Sequence, residues 1–140
     1  MRDWVLQGYW GQRVNVIDRE RKYSRRVVRP DALCIYSNRW STMPPIRLPD
    51  PDARAELGPF MPGSRIPVIR QPLDGKQVRS LLWSAGEHAT DRLFRPDDDP
   101  REENDLSGEP AEVRPAEDLL RAALAEIHAP PEQLTRLGLA

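Results

Sequence analysis

The chain has 140 residues, of which 39% are hydrophobic and 31% charged, and its formal net charge at pH 7 is −1. This length fits one domain, with or without an appendage. No apolar run approaches the roughly 18 residues of a membrane-spanning helix, and the N-terminus lacks the apolar core of a secretory signal peptide. We therefore expect a cytoplasmic protein.

The small net charge conceals an uneven distribution along the chain. Residues 1–95 hold 17 Lys and Arg against 10 Asp and Glu, whereas residues 96–140 hold 4 against 12. Such a division predicts a basic module with an acidic extension. We predict a basic, β-rich α+β domain over 1–95, an acidic disordered linker over 96–114 and a short helical tail over 115–140.

The N-terminal 40 residues show the period of two that is typical of half-buried strands, as where Val14 and Val16 alternate with Arg13 and Asn15. Strands are predicted at residues 4–10, 12–17, 23–29 and 32–36. Together they predict an antiparallel meander, in the form of a small sheet or a partly open barrel.

Six of the twelve residues from Asp18 to Arg29 are basic, and aromatic residues are interleaved with the arginines of this region. Single-stranded nucleic acids use such surfaces, since bases stack on aromatics at about 1–3 kcal/mol each while arginines hold the phosphates. The same residue types form hot spots in protein interfaces, so a protein partner remains the alternative. The candidate binding residues are Arg13, Arg19, Arg21, Lys22, Tyr23, Arg25, Arg26 and Arg29, together with Tyr9 and Trp10.

Eight prolines punctuate residues 41–74. Because proline cannot donate to a sheet ladder, an ordered loop is predicted there, with at most one edge strand over 65–70. An amphipathic helix is predicted to begin at Asp74. Its apolar stripe comprises Val78, Leu81, Leu82, Ala85, Ala89 and Leu93. Trp83 and Phe94 project to the opposite side, where they are either buried as well or presented to a partner.

Residues 95–110 are nearly free of apolar side chains, which predicts the disordered linker. Pro115, followed by Glu117 and Asp118, is a favourable start for a helix that continues to His128. The apolar face of this helix carries Leu119, Leu120, Leu124 and Ile127. A tail this short is not stable alone, so its leucine face must dock on the basic domain, a second copy or another protein, of which we favour the last two.

The sequence carries no recognisable catalytic or metal-binding motif. A glycine-rich phosphate loop, zinc-ligand spacing and a nucleophile elbow are all missing. On a helix, His88 and Glu87 point in different directions, and His128 is explained by its place near a helix C-terminus. The single cysteine, Cys34, is expected to be a small buried hydrophobe in a strand. We expect no enzymatic activity, no metal and no cofactor.

These observations favour a regulatory or accessory protein whose basic aromatic surface binds nucleic acid, preferably single-stranded, or the machinery that handles it in processes such as transcription. The alternative is a protein-only inhibitor or adaptor, of the phage or mobile-element type, directed at host machinery such as a polymerase. The acidic segment and the tail provide a second contact, or they fold back and compete for the basic surface. The nucleic-acid hypothesis requires arginines that face solvent together and are not paired with carboxylates of the same chain.

Overall fold

The computed structural model describes residues 2–8, 11–30, 32–38, 55–73 and 89–140. These residues form strands in two antiparallel sheets together with helices, so the predicted α+β class is confirmed. The strands are β1 (Val5–Gly8), β2 (Val14–Ile17), β3 (Lys22–Arg25), β4 (Leu33–Ser37), β5 (Glu56–Gly58), β6 (Val68–Leu73) and β7 (Arg92–Phe94). The helices are α1 (Pro110–Glu126) and α2 (Pro131–Leu137).

The chain divides into two compact units. Unit 1 comprises Met1–Val27, Glu87–Ala129 and Leu139, and unit 2 comprises Val28–Gly86, Pro130–Gly138 and Ala140. This division differs from the predicted one, because the strands of residues 1–95 fall into both units and the C-terminal residues are shared between them. Neither helix of the described ranges is long and apolar enough to cross a membrane.

Unit 1 is a four-stranded antiparallel sheet, in the order β1-β2-β3-β7, with α1 packed on β2 and β3. Val16 pairs with Tyr23, which in turn pairs with Leu93, so the three side chains lie in a row on one face of the sheet. All three are buried, as are Leu120 and Leu124 of α1. The core of unit 1 is therefore the layer between this face and the helix.

The helix predicted to extend from Asp74 to Leu93 is wrong at its C-terminal end, because residues 92–94 form strand β7. The sheet decides their conformation: the outer edge of β3 is available, and Tyr23 pairs with Leu93 while Lys22 pairs with Phe94. Phe94 is consequently only 4% exposed and is not presented to a partner. The remainder of the predicted helix, with Trp83 and His88, lies outside the described residues.

The acidic segment predicted to be disordered over 96–114 is a series of hydrogen-bonded turns that leads into α1. The Asp99 carboxylate accepts hydrogen bonds from the backbone N–H groups of Asn104 (2.8 Å) and Glu103 (3.0 Å), which lower its pKa. The N–H groups of Leu93 and Ser107 donate to the Asp105 carboxylate at 3.0 and 2.9 Å. The composition of the segment indicated too little apolar surface for an ordered structure. The segment is ordered instead because the Asp99 and Asp105 carboxylates accept hydrogen bonds from its backbone N–H groups.

The first helix begins at Pro110, five residues before the predicted start at Pro115. Pro110 occupies the first turn, where its missing N–H costs nothing, and Glu112 lies near the positive end of the helix dipole. Pro115 is tolerated one turn further on, although a proline there removes a hydrogen bond. The helix therefore starts at Pro110 and not at the predicted Pro115.

Unit 2 contains a three-stranded antiparallel sheet in the order β4-β6-β5, and α2 packs on β4. The strand predicted as an edge over 65–70 is instead the central strand β6, with Pro72 opposite Cys34 near its end. The N–H group of Val28 donates to the Arg136 carbonyl oxygen at 2.9 Å. Gly138 ends α2 in the left-handed conformation, with φ 65°.

We predict that Leu120→Ala destabilises the protein by about 2–5 kcal/mol, because this fully buried side chain leaves a cavity between α1 and the sheet. The matched control is Ile127→Ala, just beyond the same helix, where the side chain is 43% exposed and a loss below about 1 kcal/mol is expected. Urea unfolding followed by circular dichroism measures both values. Equal losses would contradict the assigned helix face.

Candidate functional site

The centre of the predicted nucleic-acid surface is an internal ion network. Arg25 Nη1 lies 2.6 Å from Asp91 Oδ2 and 2.8 Å from Glu117 Oε1. The Tyr23 hydroxyl donates to Asp91 Oδ2 at 2.9 Å and accepts from Arg25 Nη1 at 3.2 Å. Tyr23 is fully buried, and burial raises its pKa far above the ordinary value. Tyr23 and Arg25 therefore hold β3 to α1 and cannot stack on a base or hold a phosphate.

Arg21 and Lys22 are also paired with acidic groups of the same unit. Arg21 Nη2 lies 3.0 Å from Glu20 Oε2, and Lys22 Nζ lies 2.5 Å from Glu102 Oε1. Glu102 belongs to the acidic segment, which therefore folds back onto β3. These pairs are partly exposed and contribute little stability, but they neutralise the positive charge that a phosphate backbone requires.

The remaining candidates in this run differ in their surroundings. Arg26 is 47% exposed, and its Nε lies 3.9 Å from Asp91 Oδ1. Arg13 is half-buried, whereas Arg19 and Arg29 are exposed. Tyr9 and Trp10 lie outside the described residues.

Arg19 contributes to an open depression of about 350 Å³ on unit 1. Three carboxylates line it beside two arginines, as the lining residues are Asp3, Asp18, Arg19, Glu20 and Arg21. Unit 1 as a whole holds 12 Lys and Arg against 16 Asp and Glu. Among the described candidates of unit 1, the structure therefore encloses Tyr23 and Arg25 in an ion network and pairs Arg21 and Lys22 with carboxylates, while Arg19 and Arg26 are exposed.

The leucine face of the tail is covered by unit 1. Leu120 and Leu124 are buried and Leu119 is half-buried, which leaves only Ile127, 43% exposed, at the end of the face. The face docks on the chain's own sheet because the apolar layer around Val16 requires a cover. The expectation that it serves a protein partner or a second copy is corrected for Leu120 and Leu124.

The structure shows three exposed large apolar side chains in the segment for which the sequence predicted a proline-rich loop with at most one edge strand, over 65–70. Leu57 is 71% exposed, Ile66 69% and Met61 49%. All three belong to β5 or to the turn that joins β5 to β6, and we call them the apolar hairpin surface. Sequence reasoning missed them because they follow no strand or helix period; the available signal was large apolar residues without any periodicity.

Aromatic and cation–π contacts of Phe60 fix the hairpin on the face of the sheet opposite to Leu57. Phe60 folds back beneath β5 and meets Tyr36 edge to face, with centroids 5.9 Å apart, while the Arg70 guanidinium lies 5.0 Å from the centre of the Phe60 ring. A Cβ at Gly58 would lie only 3.0 Å from Phe60 Cζ, so glycine is what allows the ring this close. The hairpin is therefore anchored although its outer side chains are exposed.

Strand β5 is also an edge of its sheet, since β6 is its only neighbour in the order β4-β6-β5 of the described strands. Glu56 pairs with Arg70, and Leu57 pairs with Ile69. Arg70 Nη2 lies 2.6 Å from Glu56 Oε2. This ion pair and the Phe60 ring therefore lie on one face of the sheet, while Leu57 lies on the other. An edge strand beside exposed apolar side chains is a template for binding another chain.

Cys34 lies on β4 on the same face as Tyr36, and both side chains meet Glu132 of α2. The Tyr36 hydroxyl donates to the Glu132 carboxylate. Burial, reinforced by the negative charge of Glu132, raises the pKa of the Cys34 thiol from 9.0 to about 11. A thiol held protonated in this way is a poor nucleophile and a poor metal ligand at neutral pH. Among the described residues, no group of three or more His, Cys, Asp or Glu side chains is arranged to hold a metal ion.

We predict that Arg25→Met destabilises the protein by about 2–4 kcal/mol, because it removes the nearest cation from the partly buried Asp91 and Glu117 carboxylates and leaves them with the longer contacts of Arg26 (3.9 Å) and Arg121 (3.6 Å). The matched control is Arg26→Met, whose more exposed guanidinium should cost less than about 0.5 kcal/mol. Chemical unfolding at neutral pH measures the difference. If both variants lose the same amount, Arg25 is a surface cation and the ion network is not structural.

We predict that Cys34 reacts at pH 8 with a disulfide reagent such as DTNB about 100-fold more slowly than the same thiol in the urea-unfolded chain, because the thiolate fraction falls as the pKa rises. Glu132→Gln should increase the rate at which the Cys34 thiol of the folded protein reacts several-fold.

The folded state should also lose stability as the pH rises from 9.0 towards about 11, since the raised pKa favours the protonated thiol of the folded form. Equal rates in the folded and unfolded chains would refute this environment.

Comparison of the chain with protein-family models, with curated proteins and with solved structures finds no match in any of the three. Function is therefore inferred from the chain's own geometry: an internally neutralised basic strand in unit 1 and an anchored, exposed apolar hairpin in unit 2.

Proposed function

We propose that the protein is a non-enzymatic regulatory or accessory module, acting in the cytoplasm as an adaptor or inhibitor that binds another protein through the apolar hairpin surface. The observation that carries this proposal is the exposure of Leu57 (71%) and Ile66 (69%) on a hairpin held in place by Phe60. Covering a leucine or isoleucine fully contributes about 1.5–3 kcal/mol, so two such residues supply a substantial part of a specific interface.

The anchoring of the hairpin supports binding as much as its exposure does. Tyr36, Arg70 and Gly58 together fix Phe60, so the main chain of the hairpin is ordered before a partner arrives. Ordering a loop during association costs free energy that would otherwise contribute to affinity. A fixed platform avoids most of this cost, whereas a leucine on an unanchored loop would not.

We propose nucleic-acid binding only as the second candidate, because the ion pairs of unit 1 oppose it. Releasing Arg25 to a phosphate would take the nearest cation from Asp91 and Glu117, and Lys22 would have to leave Glu102. The exposed Arg19 and the composition of unit 2, which has 9 Lys and Arg against 6 Asp and Glu, keep nucleic acid as the alternative ligand.

We predict that the tagged full-length protein recovers a specific partner protein from an extract of its source cells, and that the double variant Leu57→Arg/Ile66→Arg recovers at least about 10-fold less. Charged side chains on the apolar hairpin surface should remove well over the 1.4 kcal/mol that this ratio represents. The partner is identified by mass spectrometry, expressed separately and titrated against both proteins by calorimetry.

The matched control is Val5→Arg, which places the same charge at a 60% exposed valine of edge strand β1 in unit 1 and should leave recovery unchanged. Undiminished affinity of the double variant for the purified partner would overturn the proposal. Recovery of nucleic acid that is released by salt and lost in Arg19→Glu, but not in the double variant, would favour the alternative.

A further inference from the structure

We draw no further inference here: the strongest candidate, the outer edge of β5 beside the exposed Leu57, carries nothing beyond the proposed protein binding, because nothing in the described residues shows what covers this edge.

Discussion

The arrangement of unit 1 depends on one cation held between two carboxylates that are distant in sequence. Arg25 of β3 contacts Asp91, 66 residues away, and Glu117 of α1, 92 residues away. Tyr23, two residues earlier on the same strand, buries its ring in the core and joins the network through its hydroxyl. A cation enclosed in this way must have its partners in place, so the network favours the arrangement in which α1 and β7 both meet β3.

Once this network forms, the acidic half of unit 1 becomes part of the fold. Lys22 pairs with Glu102, Arg2 with Glu126 at 2.7 Å, and Arg95 with Glu112 at 2.8 Å. The division of charge along the chain therefore corresponds to two sets of residues that neutralise each other when the unit folds. The same ion pairs reduce the positive potential that would attract a polyanion.

The two faces of the small sheet of unit 2 differ, because one face holds the hairpin in place and the other leaves Leu57 exposed. Phe60, Tyr36 and Arg70 hold the hairpin from one face, and Leu57 stands exposed on the other. The alternation of side chains along β5 produces this separation directly. A hairpin that is held in place on one face and exposes an apolar side chain on the other is suited to binding. Cys34 and Tyr36, which lie on the same face as Phe60, contact Glu132 of α2.

The sequence by itself determined part of the local structure: alternation placed β2, and apolar spacing identified the buried face of α1 through Leu120 and Leu124. β-forming residues indicated the strands near β3 and β4. Only the tertiary structure decided whether Arg25 faces solvent, because pairing with Asp91 and Glu117 depends on contacts across the chain that no local pattern encodes. It likewise turned Leu93 into a strand residue, since the open edge of β3 outweighed helical spacing. The exposure of Leu57 could not be predicted from the sequence either. Composition gives the number of apolar residues, but the packing around each one determines whether it stays in contact with water.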